Sequence, residues 1–305
     1  MDKKESRIIH GIIIALEILL VILVITCSGC KSKNKTETGA EEKSLTTQED
    51  SKVSDYNVSI LLDLSDRITE TSQIERDTLL ISYFTDWFYK TQKAQPRESL
   101  FQNGDRMKVF FYPQPNIAGI NQYQDDLTIN MSVDAKGKLK RKAIANNRDN
   151  LEKMKTTWLN ALNKIYGSTI STQNWIGSDI FGFFEKNAKT QCINKDAKRN
   201  ILVILTDGYL YHEDSWRQVA KNIYTGISPK SVSTQEKIAS TNVDLSNLEV
   251  LFLEVNPKKD TDFNKIKDLL TNWCNEMGIK HVEVVKIDLP ANTKAEIEEF
   301  LNYKK

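Results

Sequence analysis

The stretch Asn200-Ile-Leu-Val-Ile-Leu-Thr206 constrains the fold more than any other part of the chain. Its consecutive large aliphatic residues cannot alternate between core and water. The strand they form must be covered on both faces, as a central parallel strand of an α/β sheet is. The run stops at Thr206-Asp207-Gly208. A second apolar run, Ser59-Ile-Leu-Leu62, stops in the same way at Asp63-Leu64-Ser65-Asp66-Arg67. Open α/β sheets place their ligand sites outside the carboxyl ends of the strands, so both aspartates fall where such a site belongs.

The remaining periodicities alternate strand and helix. Tyr56 to Asp63 reads as the first strand, and Ile74 to Lys93 as an amphipathic helix with apolar residues at helical spacing. Met107 to Tyr112 reads as a strand halted by Pro113 and Pro115. Leu127 to Val133 alternates apolar and polar residues, which suits a half-exposed antiparallel edge strand. Lys136 to Arg141 reads as a solvated turn and Leu151 to Tyr166 as a second amphipathic helix. A polar connection follows from Gly167 to Trp175, then a short helix from about Ile180 to Ala188. Beyond Asp207 the segment to Lys237 is irregular, with a short helix expected around Trp216. Leu248 to Val255 is an apolar strand, Phe263 to Met277 helical, His281 to Ile287 a last strand, and Ala295 to Leu301 a final helix. The expectation is a doubly wound, mostly parallel α/β sheet with helices on both faces and one antiparallel edge strand.

A third oxygen-bearing loop, Gly177-Ser178-Asp179-Ile180, opens the short helix. Either Ser178 or Asp179 could serve as its N-cap. Together the three loops carry Asp63, Ser65, Ser178, Asp179 and Asp207, all hard oxygen donors of the kind Mg²⁺ takes. This constellation resembles the von Willebrand factor type A domain from about Asp55 to the C-terminus. That family carries a metal-ion-dependent adhesion site built from D-x-S-x-S, a later G-T-[DN] loop and a T-D-G turn. The resemblance implies a Mg²⁺ site with Asp63, Ser65, Ser178 and Asp207 as ligands and with Asp66, Arg67 and Asp179 as modulators. It also implies a protein-binding module that is not an enzyme. Ser178 stands where the family has Thr, and Arg67 where it has a second Ser ligand. If Arg67 points at the site, it pairs with Asp63 or Asp207 as a built-in counter-charge; if it points outward, Asp66 or water supplies the missing ligand. A metal-free scaffold is then one alternative. A Mg²⁺-dependent phosphohydrolase of the haloacid-dehalogenase type is another, although Ser65 stands where the general acid Asp of its D-x-D-x-T motif would be.

The N-terminal segment adds an address. Lys3, Lys4 and Arg7 precede Ile8 to Thr26, about 19 almost wholly apolar residues, enough to span a bilayer as a helix. The segment ends in Thr26-Cys27-Ser28-Gly29-Cys30, which resembles the lipobox of bacterial lipoprotein signal peptides. That likeness implies cleavage after residue 29 and lipidation of Cys30; an uncleaved anchor is the alternative. Residues 30–54 are polar and charged and read as a flexible tether, leaving 55–305 as the folded domain. The expected product is exported, tethered through lipidated Cys30, and facing the periplasm or the cell exterior. Its partner would be another envelope or extracellular protein.

Composition narrows this further. With 42 Lys+Arg against 41 Asp+Glu the chain has no bulk charge to attract nucleic acid. His10, His212 and His281 are scattered and form no nucleophile–base or zinc-type arrangement. Cys192 and Cys274 could form a disulfide in an exported protein, or remain two separate buried thiols. The aromatic run Tyr209, Tyr211 and Trp216, following the Asp207 turn, either contacts a partner or covers the core edge.

Overall fold

The two apolar runs become neighbouring parallel strands. The computed structural model describes residues 54–95, 103–131, 141–172 and 177–303. In it, β1 (Ser54–Leu62) pairs with β4 (Ala197–Leu205) in a register that ends at Leu62 opposite Leu205. The expectations for the signal peptide, Cys30 and the tether lie outside the described residues, except that Ser54 already belongs to β1. The chain divides into two units, Met1–Glu49 and Asp50–Lys305, and every described residue belongs to the second. Among the described residues no helix is long and apolar enough to cross a membrane.

The main sheet is completed by β2 (Arg106–Phe110), β3 (Thr128–Asn130), β8 (Leu248–Val255) and β9 (His281–Lys286). Its order is β3-β2-β1-β4-β8-β9, with only β3, at the edge, antiparallel. From β1 the chain winds outward to β2, and from β4 it winds the other way to β8. The β1/β4 boundary is therefore the switch point at which open sheets place their ligand crevice.

Both faces are covered, as the unbroken apolar runs require. On one side Val58, Ile60 and Leu62 of β1 and Ile201, Val203 and Leu205 of β4 join a single core with three helices. These are α1 (Gln73–Lys93), α3 (Arg141–Thr172) and α7 (Pro290–Asn302); α2 (Ile120–Asp126) is a short connector before β3. On the other side Leu61, Leu202 and Ile204 meet α4 (Ile180–Lys186), α5 (Ala188–Cys192) and α6 (Phe263–Glu276). Trp273 of α6 anchors that core against the rings of Phe181 and Phe184. Cys192 and Cys274 are separate buried thiols.

Three local expectations are corrected. The polar connection from Gly167 is helical as far as Thr172, because Thr169 is buried and its hydroxyl donates to Ile165 O at 2.8 Å, inside the helix. The short helix from Ile180 breaks at Asn187 into α4 and α5. No helix forms around Trp216. There the N–H groups of Ser215 and Trp216 both donate to His212 O, a single turn. A small sheet follows, with strands β5 (Gln218–Ala220), β6 (Ile223–Tyr224) and β7 (Lys237–Ile238). The indole of Trp216 stacks on Tyr224 with ring centroids 5.3 Å apart, so the aromatic spacing serves that sheet rather than a helix.

Gly208 lets the chain leave β4. Its φ is +94°, and a Cβ there would lie 2.7 Å from Val255 Cγ1 and 3.1 Å from Ile266 Cγ2. Gly208→Ala combines a disfavoured backbone with overpacking and is expected to lower unfolding stability by about 1–3 kcal/mol. Urea denaturation measures this, and a loss under about 0.5 kcal/mol would show that the turn relaxes freely.

Candidate functional site

Strand register brings the first and third loops together. Asp63 N–H donates to Leu205 O at 3.1 Å, and Thr206 N–H donates to Leu253 O at 3.1 Å. Asp63 and Thr206 thus leave the sheet side by side. Asp63 is buried; its Oδ1 accepts from Ser65 N–H at 2.9 Å and its Oδ2 from the Thr206 hydroxyl at 2.9 Å. Thr206 Oγ1 accepts in turn from Gly208 N–H, and Asp207 Oδ1 accepts from Tyr209 N–H at 2.9 Å. These Asx-type turns stop both strands and fix both carboxylates.

Asp63, Ser65, Asp66 and Asp207 line a cleft of about 370 Å³. Tyr209, Tyr211 and Trp216 form another part of its wall, and Lys230 and Lys258 come in from later segments. The aromatic run therefore faces the cleft. Burial, and after it the neighbouring Asp63 carboxylate, push the Asp207 carboxyl up to about 7, although the Tyr209 N–H and the Arg67 charge oppose that. A carboxyl whose ionisation is disfavoured by burial and by a neighbouring carboxylate gains from a nearby cation.

Arg67 points inward. It is buried, and its guanidinium forms a two-pronged bond to Asp77 of α1: Nη2 to Oδ2 at 2.8 Å and Nη1 to Oδ1 at 3.3 Å. Nη2 also donates to Leu205 O and Nε to Asp63 O, so the cation holds the last carbonyl of β4 and the carbonyl just past β1. Its Nε lies 4.0 Å from Asp63 Oδ2. Burial disfavours the charge, but Asp77, followed by Asp63, more than offsets it and raises the Arg67 pKa above its ordinary value. The main counter-charge is thus Asp77, and Asp63, one of the two partners expected for an inward Arg67, is second at 4.0 Å. Tyr166 Oη and Gln73 Nε2 complete the shell by donating to Asp77.

The second loop plays a different part. Ser178 is buried, and its Oγ accepts from Leu64 N–H at 3.1 Å and lies 3.5 Å from Leu62 O. Ser178 braces the loop after β1 and does not line the cleft. Asp179 is the N-cap of α4, accepting at Oδ1 from Gly182 N–H at 2.8 Å. The same oxygen accepts from Ser215 Oγ, which ties the cap to the aromatic segment. Of the residues expected as ligands, Asp63, Ser65 and Asp207 share the cleft and Ser178 stands apart, with Asp66 exposed on the cleft wall.

Among the described residues no group of three or more His, Cys, Asp or Glu is placed to hold a metal ion. The donor set is instead two carboxylates, with the Ser65 hydroxyl beside them. That set still fits Mg²⁺, which binds through one or two carboxylates and keeps several of its waters. Comparison with known proteins returned no matching family model, no matching curated protein and no matching solved structure.

Asp77 was missed by the sequence reading, yet its position carried a signal. It lies on the apolar stripe of α1, three residues before Leu80 and four before Ile81, and a carboxylate there needs a buried partner. Glu254 gave the same signal inside an apolar strand. It is buried, adopts φ +66°, and accepts from Arg76 at 2.6 and 3.0 Å.

Two predictions follow from these geometries. Arg67→Met leaves Asp77 buried without its cation and is expected to cost about 3–5 kcal/mol, whereas Arg67→Met with Asp77→Leu restores a substantial part of it. A double-mutant cycle read by urea unfolding checks this, and additive losses would refute the coupling. The second concerns pH. The folded Asp207 pKa of about 7 lies above the unfolded value of 3.8, so the folded state keeps a proton that the unfolded chain has lost. The resulting stability is complete below about pH 4 and lost as pH rises through about 7, by an amount on the order of a few kcal/mol. In EDTA, the stability of Asp207→Asn relative to wild type should climb across that window and level off above it. A pH-independent difference would contradict the prediction.

Proposed function

We propose that this chain is an envelope-tethered binding module of von Willebrand factor type A character. Its Asp63–Asp207 cleft takes a divalent cation such as Mg²⁺ and docks another envelope or extracellular protein. The observation that carries the reading is the meeting of the buried Asp63 carboxylate, the half-buried Asp207 carboxylate and the Ser65 hydroxyl in one cleft at the β1/β4 switch point. Asp63, Ser65 and Asp207 would hold the ion. A bound cation supplies an open coordination position for an oxygen brought by the partner. The resemblance of Thr26 to Cys30 to a lipobox supports attachment to a membrane through Cys30.

A second reading draws on Arg67. Its guanidinium, 4.0 Å from Asp63 Oδ2, already supplies positive charge at the back of the site, as a metal-free scaffold would need. Calorimetric titration of the full chain separates the two. The first reading expects one Mg²⁺ or Mn²⁺ per chain, with binding weakened at least roughly tenfold in Asp207→Asn. Absence of any binding that depends on Asp207 would favour the scaffold. Capture from native membranes then tests docking: the partner retained by wild type should be lost with Asp63→Asn, and equal capture would detach docking from the cleft.

A further inference from the structure

The cleft keeps its own opposite charges apart. Lys230 and Lys258 share it with Asp63, Asp66 and Asp207, yet neither lysine pairs with a carboxylate among the described residues. Lysines elsewhere on the surface, Lys155 on Asp86 and Lys237 on Glu276 among them, do sit against one. Both cleft lysines are exposed, while Asp63 is buried. Two lysines therefore stand at the rim beside one exposed carboxylate, Asp66, while Asp63 lies at depth and Asp207 is half-buried between them. A ligand with a cation on the Asp63–Asp207 side and anions on the lysine side complements this arrangement.

The lysines are held there by the fold. Lys258 follows β8, and its backbone N–H donates to Tyr209 Oη at 2.9 Å, which pins it to the aromatic wall. Lys230 follows Ser228 and Pro229 on the crossover between β4 and β8, where Ser231 Oγ donates to Ser228 O at 3.1 Å and fixes the turn. Beside them Tyr211 is 44% exposed and packs against Trp216, whose indole nitrogen is buried without a hydrogen-bond partner among the described residues.

We infer that Lys230 and Lys258 select an acidic polypeptide segment, so that the partner presents at least two carboxylates. One faces the cation held by Asp63 and Asp207; the next pairs with the rim lysines, and Tyr211 supplies apolar contact for the segment. This rests on the proposed cation site. A cleft of about 370 Å³ has room for more than one side chain. The lysines act on encounter as well as on affinity, since exposed charge attracts an acidic segment over a Debye length, about 10 Å at 0.1 M salt.

The test uses the full chain in non-ionic detergent and fluorescence anisotropy of labelled oligo-glutamate, with oligo-glutamine as the uncharged control. In Mg²⁺, oligo-glutamate should bind more tightly than oligo-glutamine, and the advantage should shrink as salt rises. The double variant Lys230→Gln/Lys258→Gln should weaken oligo-glutamate binding roughly five- to thirtyfold, as two exposed ion pairs allow, and leave calorimetric Mg²⁺ binding unchanged. The single variant Tyr211→Ala, far from both charges in kind, should weaken both peptides alike. Equal binding of the two peptides, or of wild type and the double lysine variant, would overturn the inference. Lysine-dependent oligo-glutamate binding in a chain that takes no Mg²⁺ would support the rim and sink the cation site instead.

Discussion

A buried arginine fixes the geometry on which the rest of the site depends. Arg67 holds Leu205 O at the end of β4, Asp63 O just beyond β1, and the Asp77 carboxylate on α1. Tyr166 adds α3 by donating to Asp77. Two strands and two helices from distant parts of the chain are thus referred to one guanidinium. The planar fork matters, since a lysine could not bond the carboxylate at two oxygens and reach two carbonyls as well. Burying such a pair has a high desolvation cost, and the tyrosine, the glutamine and the strand carbonyls offset it by satisfying the remaining lone pairs and protons.

The charge count around this pair explains the character of the cleft. Arg67 is matched by Asp77, and Arg76 is matched by Glu254 across α1 and β8. The second pair relies on a strained residue. Glu254 has positive φ at an irregularity in the β8/β9 register, which costs about 1–3 kcal/mol and turns its side chain toward α1. With both cations committed to other carboxylates, Asp63 and Asp207 share a negative charge that Arg67, 4.0 Å from Asp63 Oδ2, compensates only in part. Burial first, and the Asp63 charge after it, raise the Asp207 pKa there. A protein that only needed to end two strands could have used asparagine, which makes the same Asx turns without the repulsion.

Much of this was legible in the sequence because it depends on local rules. Unbroken aliphatic runs must be covered on both faces, so Ile201 to Leu205 announced a central strand and, with the alternating helices, the doubly wound sheet. Aspartates that end such runs announced the cleft. What stayed hidden depends on distant partners. Ser178 was read as a ligand from its motif, but a hydroxyl has many uses, and its oxygen braces Leu64 N–H. Asp77 sat among apolar neighbours as an anomaly whose resolution lay ten residues upstream. A short helix is expected around Trp216, whereas its stacking partner Tyr224 belongs to a small sheet whose strands are two or three residues long.

The division of labour between sheet and crossover follows from this topology. The carboxylates are placed by the ladder itself, one residue past Leu62 and two past Leu205, so their spacing cannot change without a slip in register that would turn every core side chain to the wrong face. The lysines and aromatics hang on turns outside the main sheet, in the crossover after Asp207 and the loop after β8. Loops of that kind tolerate substitution far better than central strands. The positions of the inner carboxylates are therefore set by the ladder, while the rim is free to vary with whatever the cleft must recognise.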